Sequence, residues 1–166
     1  MLIIEDGTGK PDAESFATAA DLASYAVKFG RTIPADEPAQ EALLRRAAVQ
    51  MMALSWKGHK ATTGQALPWP RRGVELDGEI LPVTLIPARI EYGQMALAVE
   101  IHADDIDPPS KRTGAVTRKR VEGAVDVQYA EIPNDSGYLL PAAPDRPSAT
   151  QFADYLARRG LYAVRA

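Results

Sequence analysis

Seven backbone breakers, Gly58, Gly64, Pro68, Pro70, Gly73, Gly78 and Pro82, fall between residues 57 and 82, and no long helix or strand survives that density. The chain must build its core from elements on either side and hold the intervening loop by other means. Trp56 stands at the start of the loop and Trp69 lies between Pro68 and Pro70. A buried indole contributes far more than loop backbone can, so Trp56, Trp69 and Pro70 are expected to pin the loop to the core.

The flanking segments read as helices. Thr18, with Asp21 three residues on, is an N-cap signal, and Leu22, Tyr25, Ala26 and Phe29 follow at helical spacing up to Gly30, which predicts a helix over 19–29. Asp36-Glu37-Pro38 opens a second helix, with Leu44, Ala47, Ala48 and Met51 as its apolar stripe and Glu41–Arg45 as an exposed pair one turn apart. That helix is expected to reach Ser55 or Trp56. A third, over 86–103, carries Ile90, Leu97 and Ile101, broadened by Met95, Ala98 and Val99. Its Gly93 costs about 1 kcal/mol in helix propensity relative to alanine, which implies that another helix approaches closely there. Asp104, Asp105 and Asp107, followed by Pro108-Pro109, are expected to end it.

Beyond the prolines the period changes to two. Val116–Val121 and Val125–Ala130 alternate around Glu122-Gly123, a β-hairpin pattern with Val125, Val127 and Tyr129 on one face. Residues 131–147 are a proline-rich loop, and Ser148 is expected to cap a last short helix with Phe152, Tyr155 and Leu156 on one side. Aromatics make up only 7% of the 166 residues, so the core must come mainly from Ala, Leu, Ile, Val and Met. The expected fold is mainly α: a small bundle of three main helices with a loop insertion, a β-hairpin and a C-terminal arm. It divides into a helical domain over 1–130 and a proline-rich linker with an amphipathic arm over 131–166.

Chemistry is scarce. The chain has no cysteine, which removes thiolate catalysis and sulfur-rich zinc sites. Gly7-Thr8-Gly9-Lys10 looks like the end of a phosphate-binding loop, but that motif needs glycine where Ile4 stands and serine or threonine where Pro11 stands. His59 and His102 have no neighbour at ligand spacing. No serine sits in a nucleophile elbow. No catalytic residue, cofactor or metal is expected. The N-terminus lacks the basic start and apolar run of a signal peptide, and no stretch approaches the roughly 20 apolar residues of a membrane span, so a soluble chain without a membrane partner is expected.

Two features are candidate binding surfaces. Lys111, Arg112, Arg118, Lys119 and Arg120 form a basic stretch without an acid. Arg118, Lys119 and Arg120 are candidates for contact with DNA or a neighbouring subunit, against the competing reading of a solvated edge strand. The net charge of −3 argues against strong affinity for phosphates. The second feature is the apolar load on the C-terminal segment: Phe152, Tyr155, Leu156, Leu161 and Tyr162. These residues either pack back onto the chain's own core or form an arm that docks on a partner through aromatic anchors. In the arm reading, removal of residues 148–166 leaves a folded protein.

Ile4-Glu5-Asp6-Gly7-Thr8-Gly9 with Pro11-Asp12-Ala13 and Ser15-Phe16, then Trp56-Lys57-Gly58 and Gln65-Ala66-Leu67-Pro68-Trp69-Pro70-Arg71-Arg72-Gly73, together resemble a set of short phage proteins. The Ile86-Pro87 helix start and the hairpin end Val127-Gln128-Tyr129 agree. These proteins are labelled DnaT-like single-stranded-DNA-binding proteins, and the likeness covers most of residues 1–130. It implies a head-to-tail adaptor (connector) of the tailed-phage virion, a dodecameric ring beneath the portal that continues the DNA channel toward the next tail-side neck protein. Adaptors of this type grip the portal protein with a terminal arm, which would suit the apolar residues after Pro147. The implied location is the head–tail junction, with assembly in the host cytoplasm. The family label keeps open a second reading, a single-stranded-DNA-binding replication accessory, which requires basic grooves with stacking aromatics.

Overall fold

The computed structural model describes residues 1–106 and 146–157 in full, and residues 116–122 and 124–129 as a hairpin by their backbone. The chain is mainly α. Thr18 and Asp21 form a reciprocal capping box, in which Thr18 Oγ1 accepts from Asp21 N at 3.1 Å and Asp21 Oδ2 accepts from Thr18 N at 3.0 Å. From it runs α1, Ala19–Lys28. Asp36 caps α2, Glu37–Met52, with proline in its first turn. The long central helix α3 is Ala88–Ile106. Leu22, Leu44, Ala47, Met51, Ile90 and Ala98 are fully or almost fully buried where the three helices meet.

The element ends depart from expectation for local reasons. α2 stops at Met52 instead of Ser55 or Trp56. Ala53 N and Leu54 N donate back to Gln50 O and Met51 O in a tightened last turn, and the Trp56 indole donates to Met51 O at 2.8 Å. The indole therefore gives a carbonyl of the last turn of α2 a second donor and does not extend the helix. α3 runs past 103 through Asp104 and Asp105, because Arg46 pairs with Asp105 and Arg146 reaches Asp104 at 3.2 Å. Those cations offset the unfavourable placement of acids at a helix C-terminus. Phe29, assigned to the apolar stripe of α1, is 56% exposed at the helix end. Glu41 is buried and not on a solvated face; it accepts from the Met1 amine at 3.1 Å, while Arg45 favours Glu14 at 2.9 Å over Glu41 at 3.5 Å.

The loop after α2 contains two minimal antiparallel hairpins. β1 (His59–Lys60) pairs with β2 (Arg71–Arg72), and β3 (Glu75–Leu76) pairs with β4 (Glu79–Ile80). Asp77 and Gly78, both at positive φ, make the second turn, the pattern Asp-Gly favours. The Trp69–Pro70 peptide bond is cis. The Arg71 guanidinium ties the loop together, donating to Lys57 O at 2.6 Å, Gly58 O at 2.7 Å and Pro68 O at 3.0 Å. β5 (Val116–Glu122) and β6 (Ala124–Tyr129) pair antiparallel, with Val121 opposite Val125.

Residues 146–157 close the core. α4, Pro147–Phe152, is followed by a 3-10 turn, Ala153–Tyr155. Ser148 is not its cap. Arg146 holds that position, and Ser148 N and Oγ instead donate to the Glu100 carboxylate of α3 at 2.9 and 2.6 Å. The carboxylate thus meets one first-turn N–H of α4, that of Ser148, from a neighbouring helix.

Candidate functional site

Three parts of the surface have geometry worth chemical attention: the seat of the C-terminal segment, the opening loop, and a groove between α1 and α3.

The seat is built from aromatic rings. Trp56 stands edge-on to Trp69 at 6.1 Å between centroids and to Phe152 at 5.2 Å, and Trp69 meets Tyr155 at 5.6 Å. Such T-shaped pairs add to the stabilisation from area burial. Gly93 leaves the space that the Phe152 ring fills: a Cβ there would lie 2.1 Å from Phe152 Cε1. The close approach expected at Gly93 is therefore made by an aromatic side chain of α4. Backbone bonds lock the same segment, Lys57 N to Tyr155 O at 2.9 Å and Ala157 N to Ser55 O at 2.8 Å. Arg89 donates to Thr150 O at 2.8 Å, pairs with Asp154 and lies over the Tyr155 ring.

Of the residues grouped as an arm, Phe152 and Tyr155 are 3% and 6% exposed in the core, and Leu156 packs against it. The segment packs back onto its own body there. The expectation that residues 148–166 can be removed without harm to the fold is corrected, because the cut would take two core aromatics with it. Leu161 and Tyr162 lie outside the described residues, as do Lys111 and Arg112. Arg118, Lys119 and Arg120 lie on β5, in register with Gln128, Val127 and Asp126.

The opening loop Gly7-Thr8-Gly9-Lys10 is filled from within the chain. The buried Glu5 carboxylate already fills it, accepting from Gly7 N at 3.0 Å, Gly9 N at 2.8 Å and Lys10 N at 2.8 Å. N–H groups converging on one point make an anion nest, and here the anion belongs to the chain, while Thr8 N turns aside to Asp6 at 3.2 Å. Lys10 Nζ turns to Ile4 O at 2.8 Å and Asp6 at 2.9 Å. Hydrogen bonds from Thr8, then Lys10, lower the Asp6 carboxyl to about 2. Gln94 anchors this loop to the bundle, accepting from Phe16 N at 2.8 Å and donating to Leu44 O at 3.0 Å.

The groove between α1 and α3 encloses about 250 Å³ above Phe16 and Met95. Tyr25 and Tyr92 line it with ring centroids 6.1 Å apart, and Tyr25 stacks on Phe29 at 4.4 Å. Asp21 and Glu91 supply its carboxylates, and Lys28 also borders it. Burial, with the Asp21 charge adding to it, raises the Glu91 carboxyl above its ordinary range. Sequence reasoning missed this groove, since its two acids stand on different helices.

Among the described residues no group of three or more His, Asp or Glu side chains could hold a metal ion. His59 is exposed and His102 half-buried. Among the same residues no helix is long and apolar enough to cross a membrane.

No curated protein and no solved structure matches the chain. The family match is described in terms of binding and not of catalysis: residues 1–165 match the family described as "Putative DnaT-like ssDNA binding protein", and the chain belongs to it.

Proposed function

We propose that the protein is a head-to-tail adaptor of a tailed-phage virion. In this reading copies of the chain form a ring beneath the portal protein, continue the DNA channel, and present the opposite end to the next tail-side neck protein. The ring assembles in the host cytoplasm and resides at the head–tail junction.

The supporting observation is where the aromatic rings lie. A protein that grips single strands stacks bases on accessible rings along a basic groove. Trp56, Trp69, Phe152 and Tyr155 are instead between 0 and 7% exposed, committed to holding the loop and the C-terminal segment. Residues 1–106 carry 15 acidic and 10 basic side chains, a balance that disfavours phosphate binding and suits a channel wall past which DNA slides. In this reading Leu161 and Tyr162, just beyond the anchored segment, grip the portal, and Phe152, Tyr155 and Leu156 hold the base of that grip.

The second reading is a single-stranded-DNA-binding replication accessory. The family description and the run of five basic residues over 111–120 favour it.

Electron microscopy of phage particles carrying an antibody-labelled copy separates the two. Label at the head–tail junction is the expected result. Absence from particles, together with oligonucleotide affinity that falls steeply with salt and disappears on changing Arg118, Lys119 and Arg120 to Ala, would replace the adaptor by the accessory protein.

A further inference from the structure

Six acidic side chains among the described residues are buried or half-buried: Glu5, Glu14, Glu41, Glu91, Glu100 and Asp104. Five have clear partners. Glu5 sits in its nest, Glu14 meets Arg45, Glu41 meets the Met1 amine, Glu100 meets Ser148 and Asp104 meets Arg146. Glu91 has no ion-pair or hydrogen-bond partner among the described residues, and it shares its groove with a second carboxylate, Asp21. A half-buried charge beside a like charge is unfavourable in an isolated subunit. A cation entering the groove would relieve it, and Tyr92, 39% exposed at the rim, offers that cation an aromatic face.

The same chain carries the complement. Residues 111–120 hold five basic side chains and no acid, against the acidic excess of residues 1–106. On β5, Arg120 is in register with Asp126, and Arg118 with the uncharged Gln128. A planar guanidinium bonds two carboxylates and stacks on an aromatic ring, which an ammonium does less well. A ring of identical subunits needs two different, complementary patches on each copy. The groove, with two carboxylates, and the strand, with three adjacent basic residues, differ in the sign of their charge.

We infer that the groove between α1 and α3 receives β5 of a neighbouring copy, with Arg118 placed between the Asp21 and Glu91 carboxylates and against Tyr92. The inference rests on the ring-forming reading above and names the contact that closes the ring. DNA is a poor occupant, since the groove presents carboxylates to its phosphates.

The cysteine-free sequence allows a direct test on the full chain. One copy carries Ser24→Cys at the groove, and a second, of different mass, carries Thr117→Cys beside Arg118. Mixed at low salt under mild oxidation, they should give a cross-linked heterodimer. Its yield should fall roughly tenfold with Glu91→Gln, equivalent to about 1.4 kcal/mol, and recover when Glu91→Arg is mixed with Arg118→Glu. Glu91→Gln should not lower the melting temperature of the subunit, which separates lost docking from lost folding. Absence of the heterodimer overturns the inference. So does a cross-link found only inside a single chain carrying both cysteines, because the strand would then occupy its own groove. Label at the head–tail junction without the cross-link defeats this inference alone; the cross-link in a protein absent from particles defeats the adaptor reading and keeps the contact.

Discussion

Gly93 on α3 and Phe152 on α4 share one space: a Cβ on the glycine would lie 2.1 Å from Phe152 Cε1, closer than two non-bonded carbon atoms can approach. The ring is 3% exposed and bounded on its other side by Trp56, so it has nowhere to go. Gly93→Ala should therefore destabilise the protein by about 2 kcal/mol, although alanine improves helix propensity by about 1 kcal/mol. Urea denaturation of the two proteins, followed by circular dichroism, checks the sign.

Truncation should be sharply graded by position. Ending the chain at Ala157 keeps Phe152, Tyr155 and the backbone bonds at Ser55 and Lys57, and the melting temperature should change little. Ending it at Arg146 empties a core site, and the single change Phe152→Ala alone should cost about 3–5 kcal/mol. In the adaptor reading the Ala157 truncation still folds yet no longer attaches to portal-bearing heads. Calorimetry and a head-attachment assay together read both effects.

Glu5 is expected to be needed by the opening loop. Glu5→Ala leaves the N–H groups of Gly7, Gly9 and Lys10 without their acceptor, at a cost of about 2–3 kcal/mol. Hydrogen exchange at those three amides should rise in the variant. Inorganic phosphate at millimolar concentration should leave the amide shifts of the unaltered protein unmoved, because the nest is already filled.

Acid should loosen the opening segment before the bundle. The Asp6 carboxyl is lowered to about 2 by hydrogen bonds from Thr8 and Lys10, and Glu14 is lowered chiefly by its hydrogen bond from Arg45. A carboxyl with a depressed folded pKa stabilises the native state above its unfolded pKa, near 4, and that contribution is lost as pH falls through the folded value. Carboxyl carbon shifts followed by NMR from pH 6 down to 2 should show both groups titrating low. Arg45→Ala should return the Glu14 midpoint toward its ordinary value and leave Asp6 in place.

Local signals were readable in the sequence and distant ones were not. The box Thr18–Asp21 and the stripes through Leu44 and Ile90 depend on neighbours within a turn or two, and periodicity exposes them. The end of α2 depends on where the Trp56 indole turns, and the end of α3 on arginines from α2 and from residue 146. No short window of sequence contains the two arginines, and the turn of the indole, only five residues from Met51, is set by the rings it packs against. The two-residue strands of the central loop are too short to have a period, although Asp77-Gly78 could have marked the second hairpin. Glu5 beside two glycines was visible as residues, but the ring they close appears only when the chain folds back on itself. The groove joins Asp21 to Glu91, helix to helix, and only packing brings them together.

The bond from Ala157 N to Ser55 O stakes Ala157 to the body. Leu161 follows the stake by four residues and Tyr162 by five. At full stretch that is about 14 and 17 Å. In the adaptor reading, a portal segment gripped by these two side chains must come nearly flush against the flank of the molecule where α2 ends. A portal held on so short a tether would sit beside the body and could not dangle from it, its docking angle set by the body's own contour.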